Sequence, residues 1–223
     1  MLAAVVFDFD GVVLDSETPE FESHRRVFER WGVALTADEW CNQIGIYRKD
    51  HERHWFLQLC ERSGQAVDQN VYESEKRKLF QELVPPEPMR GIRELLQALC
   101  AAGVPAAIAS SSPARWVVPA VEGIGLSALI QTIVSGDDVA IRKPAPDVYL
   151  EALRRLGADA SRSVAIEDSG PGIAAACAAG MKAIAIPHWL TERHDLDAAH
   201  LRVTHAGELS VGGLVTLVSR STQ

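Results

Sequence analysis

A chain of 223 residues with 47% hydrophobic content has enough apolar material for a core and too much for disorder. Its length suits one large domain, or a core domain carrying a smaller one. The formal net charge of −8, with no Lys/Arg run, argues against a nucleic-acid surface, and no stretch of about twenty apolar residues offers a membrane span.

The chain opens on Ala3-Ala4-Val5-Val6-Phe7-Asp8-Phe9-Asp10-Gly11-Val12. So short an apolar run reads as a strand buried on both faces. Alternation along it puts Asp8 and Asp10 on one face and Phe7 and Phe9 on the other. The run carries no basic leader and is broken by Asp8, so it does not read as a signal peptide.

Residues 18 to 83 are different, rich in Glu, Arg, His, Trp and Phe at helical spacing. Phe21, His24, Phe28 and Trp31 fall on one helical face, with Gly32 as a stop. Thr36-Ala37-Asp38-Glu39 is a capping box. Trp55, Phe56, Leu59 and Cys60 form another stripe, and Asp68 caps a last helix through Leu83. This segment reads as a helical bundle inserted after the first strand. The stretches Asp15–Glu20 and Pro85-Pro86-Glu87-Pro88 are the two crossings back to the core, a natural hinge.

From Gly91 the pattern alternates. A helix through Leu99 precedes a strand at 104–109, which ends in Ser110-Ser111-Ser112. Ser112 is placed to cap the next helix, and Pro119 should kink or shorten that helix. Strands near 129–135, 163–166 and 183–186 are separated by helices near 148–156 and 173–179, and residues 188–210 carry no clear pattern. Such βαβ alternation predicts an α/β fold, a doubly wound and mostly parallel sheet, with residues 1–16 and 85–223 as core and 17–84 as a small helical cap. Cys41, Cys60, Cys100 and Cys177 show no CxxC spacing and sit in apolar helical contexts, so buried reduced thiols and a cytoplasmic setting are expected. His24, His51 and His54 are expected on polar faces or edges of the cap helices.

Three buried strands end in polar residues: Asp8/Asp10, Ser110/Ser112 and Glu167/Asp168. Lys143, in Arg142-Lys143-Pro144, adds a cation. Right-handed crossovers bring the carboxyl ends of parallel strands to one edge, so groups distant in sequence converge. Alone, an Asp-x-Asp is equally a solvated turn, Lys143 a surface charge and the serines a loop; convergence makes them a site. Carboxylates without Cys or His suit a hard cation such as Mg²⁺, and Lys with Ser suits a phosphate. One carboxylate could attack phosphorus while a second handles a proton.

Asp8-Phe9-Asp10-Gly11-Val12, Ser110, Lys143-Pro144 and Glu167-Asp168-Ser169 with Gly172 resemble the four motifs of the haloacid-dehalogenase superfamily, and most closely its β-phosphoglucomutase-like phosphatase branch. The resemblance implies a nucleophile in Asp8, a general acid and base in Asp10, and Mg²⁺ held by Asp8, the Asp10 backbone carbonyl and Asp168, with Glu167 near or in the shell. Ser110, Lys143 and the neighbouring Ser111 and Ser112 would bind phosphate. Glu17 and Arg48 of the cap are further candidates to touch a small phosphorylated metabolite. Dehalogenating members lack the second Asp, so Asp10 favours phosphate chemistry. The mutases of the branch carry a His where this chain has Glu20, which favours hydrolysis of a sugar or polyol phosphate; a sugar-phosphate mutase is the alternative, and a non-catalytic phosphate-binding module the third reading. A monomer is the default expectation.

Overall fold

The computed structural model describes residues 1–41, 44 and 51–219, with His51 and Glu52 by backbone alone. In chain order the strands and α-helices are β1 (Ala4–Phe7), α1 (Glu17–Arg30), α2 (Ala37–Cys41), α3 (His51–Ser63), α4 (Gln69–Leu83), α5 (Ile92–Ala101), β2 (Ala106–Ala109), α6 (Ala114–Gly123), β3 (Thr132–Val134), α7 (Asp147–Leu156), β4 (Ser163–Glu167), α8 (Gly170–Ala178), β5 (Lys182–Ala185), β6 (Leu201–Arg202) and α9 (Val211–Ser219). No helix among the described residues is long and apolar enough to cross a membrane.

The strands form one sheet in the order β3-β2-β1-β4-β5-β6, every neighbouring pair parallel. β1 lies in the middle, with Phe7 opposite Ile108 of β2 and Ile166 of β4. Alternation sorts its side chains: Val5 and Phe7 join a layer with α5, α6 and α9, and Val6 joins the opposite layer with α7 and α8. The expected doubly wound sheet is therefore present, extended by β6 and α9, which the sequence pattern did not mark. β6 is two exposed residues, too short for a period, and α9 contains Gly212 and Gly213, which depress its helical signal.

A third apolar cluster belongs to α1–α4, with Phe21, Phe28, Trp40, Trp55, Leu59 and Tyr72 inside it. The local signals act as expected. Thr36 and Glu39 exchange capping-box bonds: Thr36 N–H donates to Glu39 Oε2 at 2.8 Å, and Glu39 N–H to Thr36 Oγ1 at 3.3 Å. Asp68 Oδ1 accepts from Asn70 N–H at 2.8 Å at the start of α4. The core residues that flank the two crossings are bonded, Met89 N–H donating to the Val13 carbonyl at 2.9 Å. Leu190, from the loop after β5, is also buried in this cluster.

Three expectations are corrected. The thiols are free but not buried: Cys100 is exposed and the other three are half-buried, because Leu95, Leu96 and Leu99 take the inner face of α5 and leave Cys100 outside. His24 is not an edge residue; it is fully buried, bonded to the Tyr72 hydroxyl at 2.6 Å and to Glu20 at 3.3 Å. The side chain of His51 lies outside the described residues, and His54 is half-buried against Trp55. Ser112 does not cap α6, since its hydroxyl goes to Asp10; Asp137 accepts from Ala114 N–H at 2.9 Å instead. Pro119 lies inside α6, which runs four residues further to Gly123.

Candidate active site

β1 stops at Phe7, and the chain leaves the sheet with Asp8. Val13 and Leu14 N–H groups turn back onto the Phe9 carbonyl at 2.9 and 3.1 Å. Gly11, at φ +80°, makes this loop, and a Cβ there would stand 2.6 Å from Asp168 Oδ2. Only glycine gives both the backbone angle and the room. Strand alternation therefore ends before it can pair the two acids: Asp8 and Asp10 enter different surroundings, not the shared face the sequence predicts.

Asp8 is buried with Lys143, whose Nζ donates to Asp8 Oδ1 and Glu167 Oε1 at 2.6 Å each and to the Ala109 carbonyl at 2.9 Å. No described residue donates to Asp8 Oδ2. Glu167 is fully buried and saturated: Oε1 accepts also from Tyr149 Oη at 2.5 Å, and Oε2 from Asp168 N–H at 3.2 Å and Ser169 Oγ at 3.4 Å. Gly172 makes space for it, since a Cβ there would lie 2.0 Å from the Glu167 carboxyl. Asp168 Oδ2 accepts from Thr191 Oγ1 at 3.2 Å. Asp8, Glu167 and Asp168 each offer an oxygen within 4.8 Å of the others.

Asp10 faces the other way. Its Oδ1 accepts from Ser16 Oγ at 2.6 Å and Trp116 Nε1 at 2.9 Å, and its Oδ2 from Ser112 Oγ at 2.6 Å and Ser110 Oγ at 3.2 Å. Its side chain is outside the three-carboxylate cluster. Ser110 also accepts from Ser112 N–H at 2.9 Å, which folds the loop after β2 over Asp10. The Ser111 hydroxyl is buried and makes no hydrogen bond among the described residues.

The electrostatics follow from these contacts. Burial and the neighbouring Glu167 push the Asp8 carboxyl up to about 7, against the pull of Lys143. Burial, Asp8 and Glu167 raise Asp168 well above the usual carboxylate range. Burial opposes the charge of Lys143, yet Asp8 and Glu167 hold it protonated above the ordinary lysine value. Burial and the Glu167 charge push the Tyr149 hydroxyl far up, so it stays a donor. Glu17, half-buried at the start of α1, is raised by burial and then by Asp10, Glu20, Asp8 and Asp15.

The structure thus brings together Asp8, Asp10, Ser110, Ser112, Lys143, Glu167 and Asp168, with Ser111 beside them and Glu17 close enough to feel the acids. Arg48, and the stretch Gly45–Arg48, lie outside the described residues. Ser16, Trp116, Tyr149 and Thr191 complete the site and were not foreseen. Trp116 and Tyr149 look in sequence like core positions of amphipathic helices, and Thr191 falls in the patternless 188–210 stretch. Ser16 sits beside Asp15 in the first crossing, the one signal that could have marked it.

Buried acids, a lysine and serines thus meet at the carboxyl edge of a parallel sheet, the edge where open α/β sheets bind their ligands, and three of the acids could hold a metal ion. The chain belongs to the haloacid dehalogenase-like hydrolase family, whose model matches residues 5–186. It is 34% identical over 188 residues to the Phosphorylated carbohydrates phosphatase of Thermotoga maritima, covering 82% of this chain and 84% of that protein. It is 30% identical over 225 residues to the plasmid Protein CbbY of Cupriavidus necator, covering 93% and 87%. A crystal structure of β-phosphoglucomutase from Clostridium difficile has a TM-score of 0.77 over 98% of each chain at 20% identity, a likeness of fold alone.

Proposed function

We propose that this chain is a Mg²⁺-dependent phosphatase that hydrolyses a small phosphomonoester, a sugar or polyol phosphate, through an aspartyl-phosphate on Asp8. The observation that carries the reading is the split between two acids two residues apart. Asp8 shares Lys143 with Glu167 and keeps one oxygen without a donor among the described residues, whereas Asp10 is set by donors on both oxygens. The first suits a nucleophile and the second a proton carrier.

An Asp8 oxygen attacks phosphorus. The bond from phosphorus to the ester oxygen breaks, its electron pair stays on that oxygen, and Asp10 supplies the proton. Water then gives a proton to Asp10 as its oxygen bonds to phosphorus. The Asp8–phosphorus bond breaks, and Asp8 returns as a carboxylate. Lys143, Ser110 and Ser112, with the unpartnered Ser111 hydroxyl, hold the phosphoryl oxygens. Glu17, whose carboxyl is raised by burial and then by its acidic neighbours, touches the substrate from the start of α1.

The donor set fits Mg²⁺, for three buried carboxylates outnumber one lysine and neither His nor Cys lies among them. Asp8, Asp168 and the Asp10 backbone carbonyl would hold the ion. When bound it supplies positive charge to the phosphoryl oxygens. Glu167 spends both oxygens on four donors, so it serves to fix Lys143, outside the ligand set. The division into a core of residues 1–16 and 85–223 and a cap of 17–84 is supported by the separate apolar cluster of α1–α4. The name of the Thermotoga maritima relative supports a carbohydrate phosphate as substrate. Glu20, clamped by His24 and Lys76 and held well below the usual carboxylate range despite burial, makes a poor proton relay; this favours hydrolysis over isomerisation.

Phosphate release from a panel of sugar and polyol phosphates with Mg²⁺ tests the reading. Asp8→Asn is expected to cut release by at least about 10³-fold. Undiminished release by that variant sinks the proposal, and isomerisation of a hexose 1-phosphate outrunning release reverses the choice between hydrolase and mutase.

A further inference from the structure

We infer that Thr191 is a positioning residue that aims Asp168 at a divalent cation, and that the loop carrying it, residues 188–194, ties that aim to the seating of the cap. This rests on the reading of Asp8 and Asp168 as ligands of the ion.

Thr191 is fully buried, and its hydroxyl donates to Asp168 Oδ2 at 3.2 Å, the one donor to that carboxyl among the described residues. The hydroxyl is itself fixed. It accepts from His188 N–H at 3.0 Å, and Thr191 N–H donates to the His188 carbonyl at 2.8 Å. The group that aims Asp168 is thus set by a tight turn after β5, not by the strand that carries Asp168. A ligand held by such a neighbour keeps its orientation before an ion arrives.

The residues on either side of Thr191 go to the cap. Leu190 is fully buried in the apolar cluster of α1–α4. Trp189 Nε1 donates to Thr18 Oγ1 at 2.9 Å, and its ring stands edge-on to Phe21 of α1, with 6.0 Å between centroids. His188 Nδ1 accepts from Leu190 N–H at 3.4 Å, which leaves the proton on Nε2, 3.2 Å from both Asp15 Oδ1 and Thr18 Oγ1. His194 bridges the two parts alone. Its Nδ1 accepts from Gly170 N–H at 3.4 Å, and its Nε2 donates to the Cys41 carbonyl of α2 at 3.1 Å. One neutral tautomer makes both bonds. Gly170 opens α8 just after Asp168 and Ser169, so this ring also reaches the segment that carries the ligand.

The crossings join core and cap through the chain itself. This loop joins them by contact, and it ends on an acid of the site. Leu190 and Thr191 are adjacent, so a shift of Leu190 with the cap turns Thr191 away from Asp168. A cation at Asp168 and a cap seated on the loop therefore favour each other, and by linkage the preference is mutual.

Calorimetric titration with Mg²⁺ tests this. Thr191→Val keeps the branched shape and removes the hydroxyl, and it is expected to weaken Mg²⁺ binding about tenfold. Leu190→Ala and Trp189→Ala leave every acid of the site in place, and they are expected to weaken binding about fivefold and about threefold through the loop. Leu59→Ala opens a cavity in the same cap cluster away from the loop; it is expected to lower stability and to leave Mg²⁺ affinity within about twofold of wild type. Unchanged affinity in Thr191→Val, or a loss in Leu59→Ala as large as in Leu190→Ala, overturns the inference. Trp189 is half exposed, so its variant decides the tie to the cap even where Leu190→Ala fails to fold, and unchanged affinity in it overturns that tie. Hydrogen exchange reads the reverse direction. Mg²⁺ is expected to slow exchange across residues 188–194 and α1 about tenfold in the wild type and less than about twofold in Thr191→Val. Equal slowing in both overturns the coupling. A wild type that binds no Mg²⁺ sinks the cation reading and this inference with it, whereas equal binding by wild type and Thr191→Val sinks the inference alone.

Discussion

In the cap, Glu20 sits between His24 and Lys76, whereas at the strand ends Asp8 and Glu167 share Lys143 and Asp168 lies beside them without an ion pair among the described residues. Both regions bury ionisable groups, and burial alone pushes every such carboxyl up. In the cap the partners win: the His24 bond and the Lys76 charge hold Glu20 well below its ordinary range. At the strand ends they lose: burial and then Glu167 and Asp10 drive Asp8 up against Lys143, and burial and then Asp8 and Glu167 drive Asp168 up. The cap network is balanced as a structural one must be. The strand-end cluster carries negative charge that its own residues do not neutralise. A fold keeps such an imbalance where a cation or a reaction supplies the missing charge.

Removing the one cation from the unbalanced cluster should give the largest effect. Lys143→Met leaves Asp8 and Glu167 facing each other, buried and unpaired. Loss of activity and about 3–5 kcal/mol of stability are expected, read by chemical denaturation without divalent ions. A near-neutral result would show that the cluster tolerates its charge unaided. The matching change in the cap is smaller. Lys76→Met leaves Glu20 bonded to His24 and about a quarter exposed, so about 1–2 kcal/mol is expected. Losses of equal size in the two variants would erase the distinction between the regions.

The contrast was only half legible in the sequence. Asp8, Asp10, Lys143, Glu167 and Asp168 stand at strand ends, and parallel topology forces strand ends onto one edge, so their convergence follows from the alternation of elements. What each acid faces does not follow. Strand alternation placed Asp8 and Asp10 on one face, but the Gly11 loop separated them. The donors that set Asp10, Glu167 and Asp168 come from Ser16, Trp116, Tyr149 and Thr191, single residues on helices and loops with no pattern of their own. The balanced cap network was missed for a related reason. His24 and Lys76 are polar residues on helices, and only tertiary packing with Glu20 and Tyr72 buries them.

The smallest effect per unit change is the one that reads the imbalance most directly, namely the dependence of stability on pH. Asp8 titrates at about 7 in the folded chain and Asp168 is also raised, while both return to about 4 when unfolded. Between about pH 4 and 7 the folded state therefore binds more protons than the unfolded one. Stability in that window falls as pH rises, by at most about 1.4 kcal/mol per pH unit for each such group, and levels off above the folded value. Glu20 has the opposite sign, because its lowered carboxyl contributes stability above about pH 4 that is lost as pH falls. The window above pH 4 thus belongs to the raised acids, Asp8 and Asp168 at the strand ends with Glu17 beside them. Denaturation of the metal-free protein at pH 5 and pH 8 should find it less stable at pH 8, and Asp8→Asn should reduce the difference while Lys76→Met should not. Saturating Mg²⁺ should stabilise the protein more at pH 8 than at pH 5, since the ion competes with the same protons. A metal-free protein as stable at pH 8 as at pH 5, with no response to Asp8→Asn, would mean that Lys143 alone balances the cluster and that the two regions do not differ.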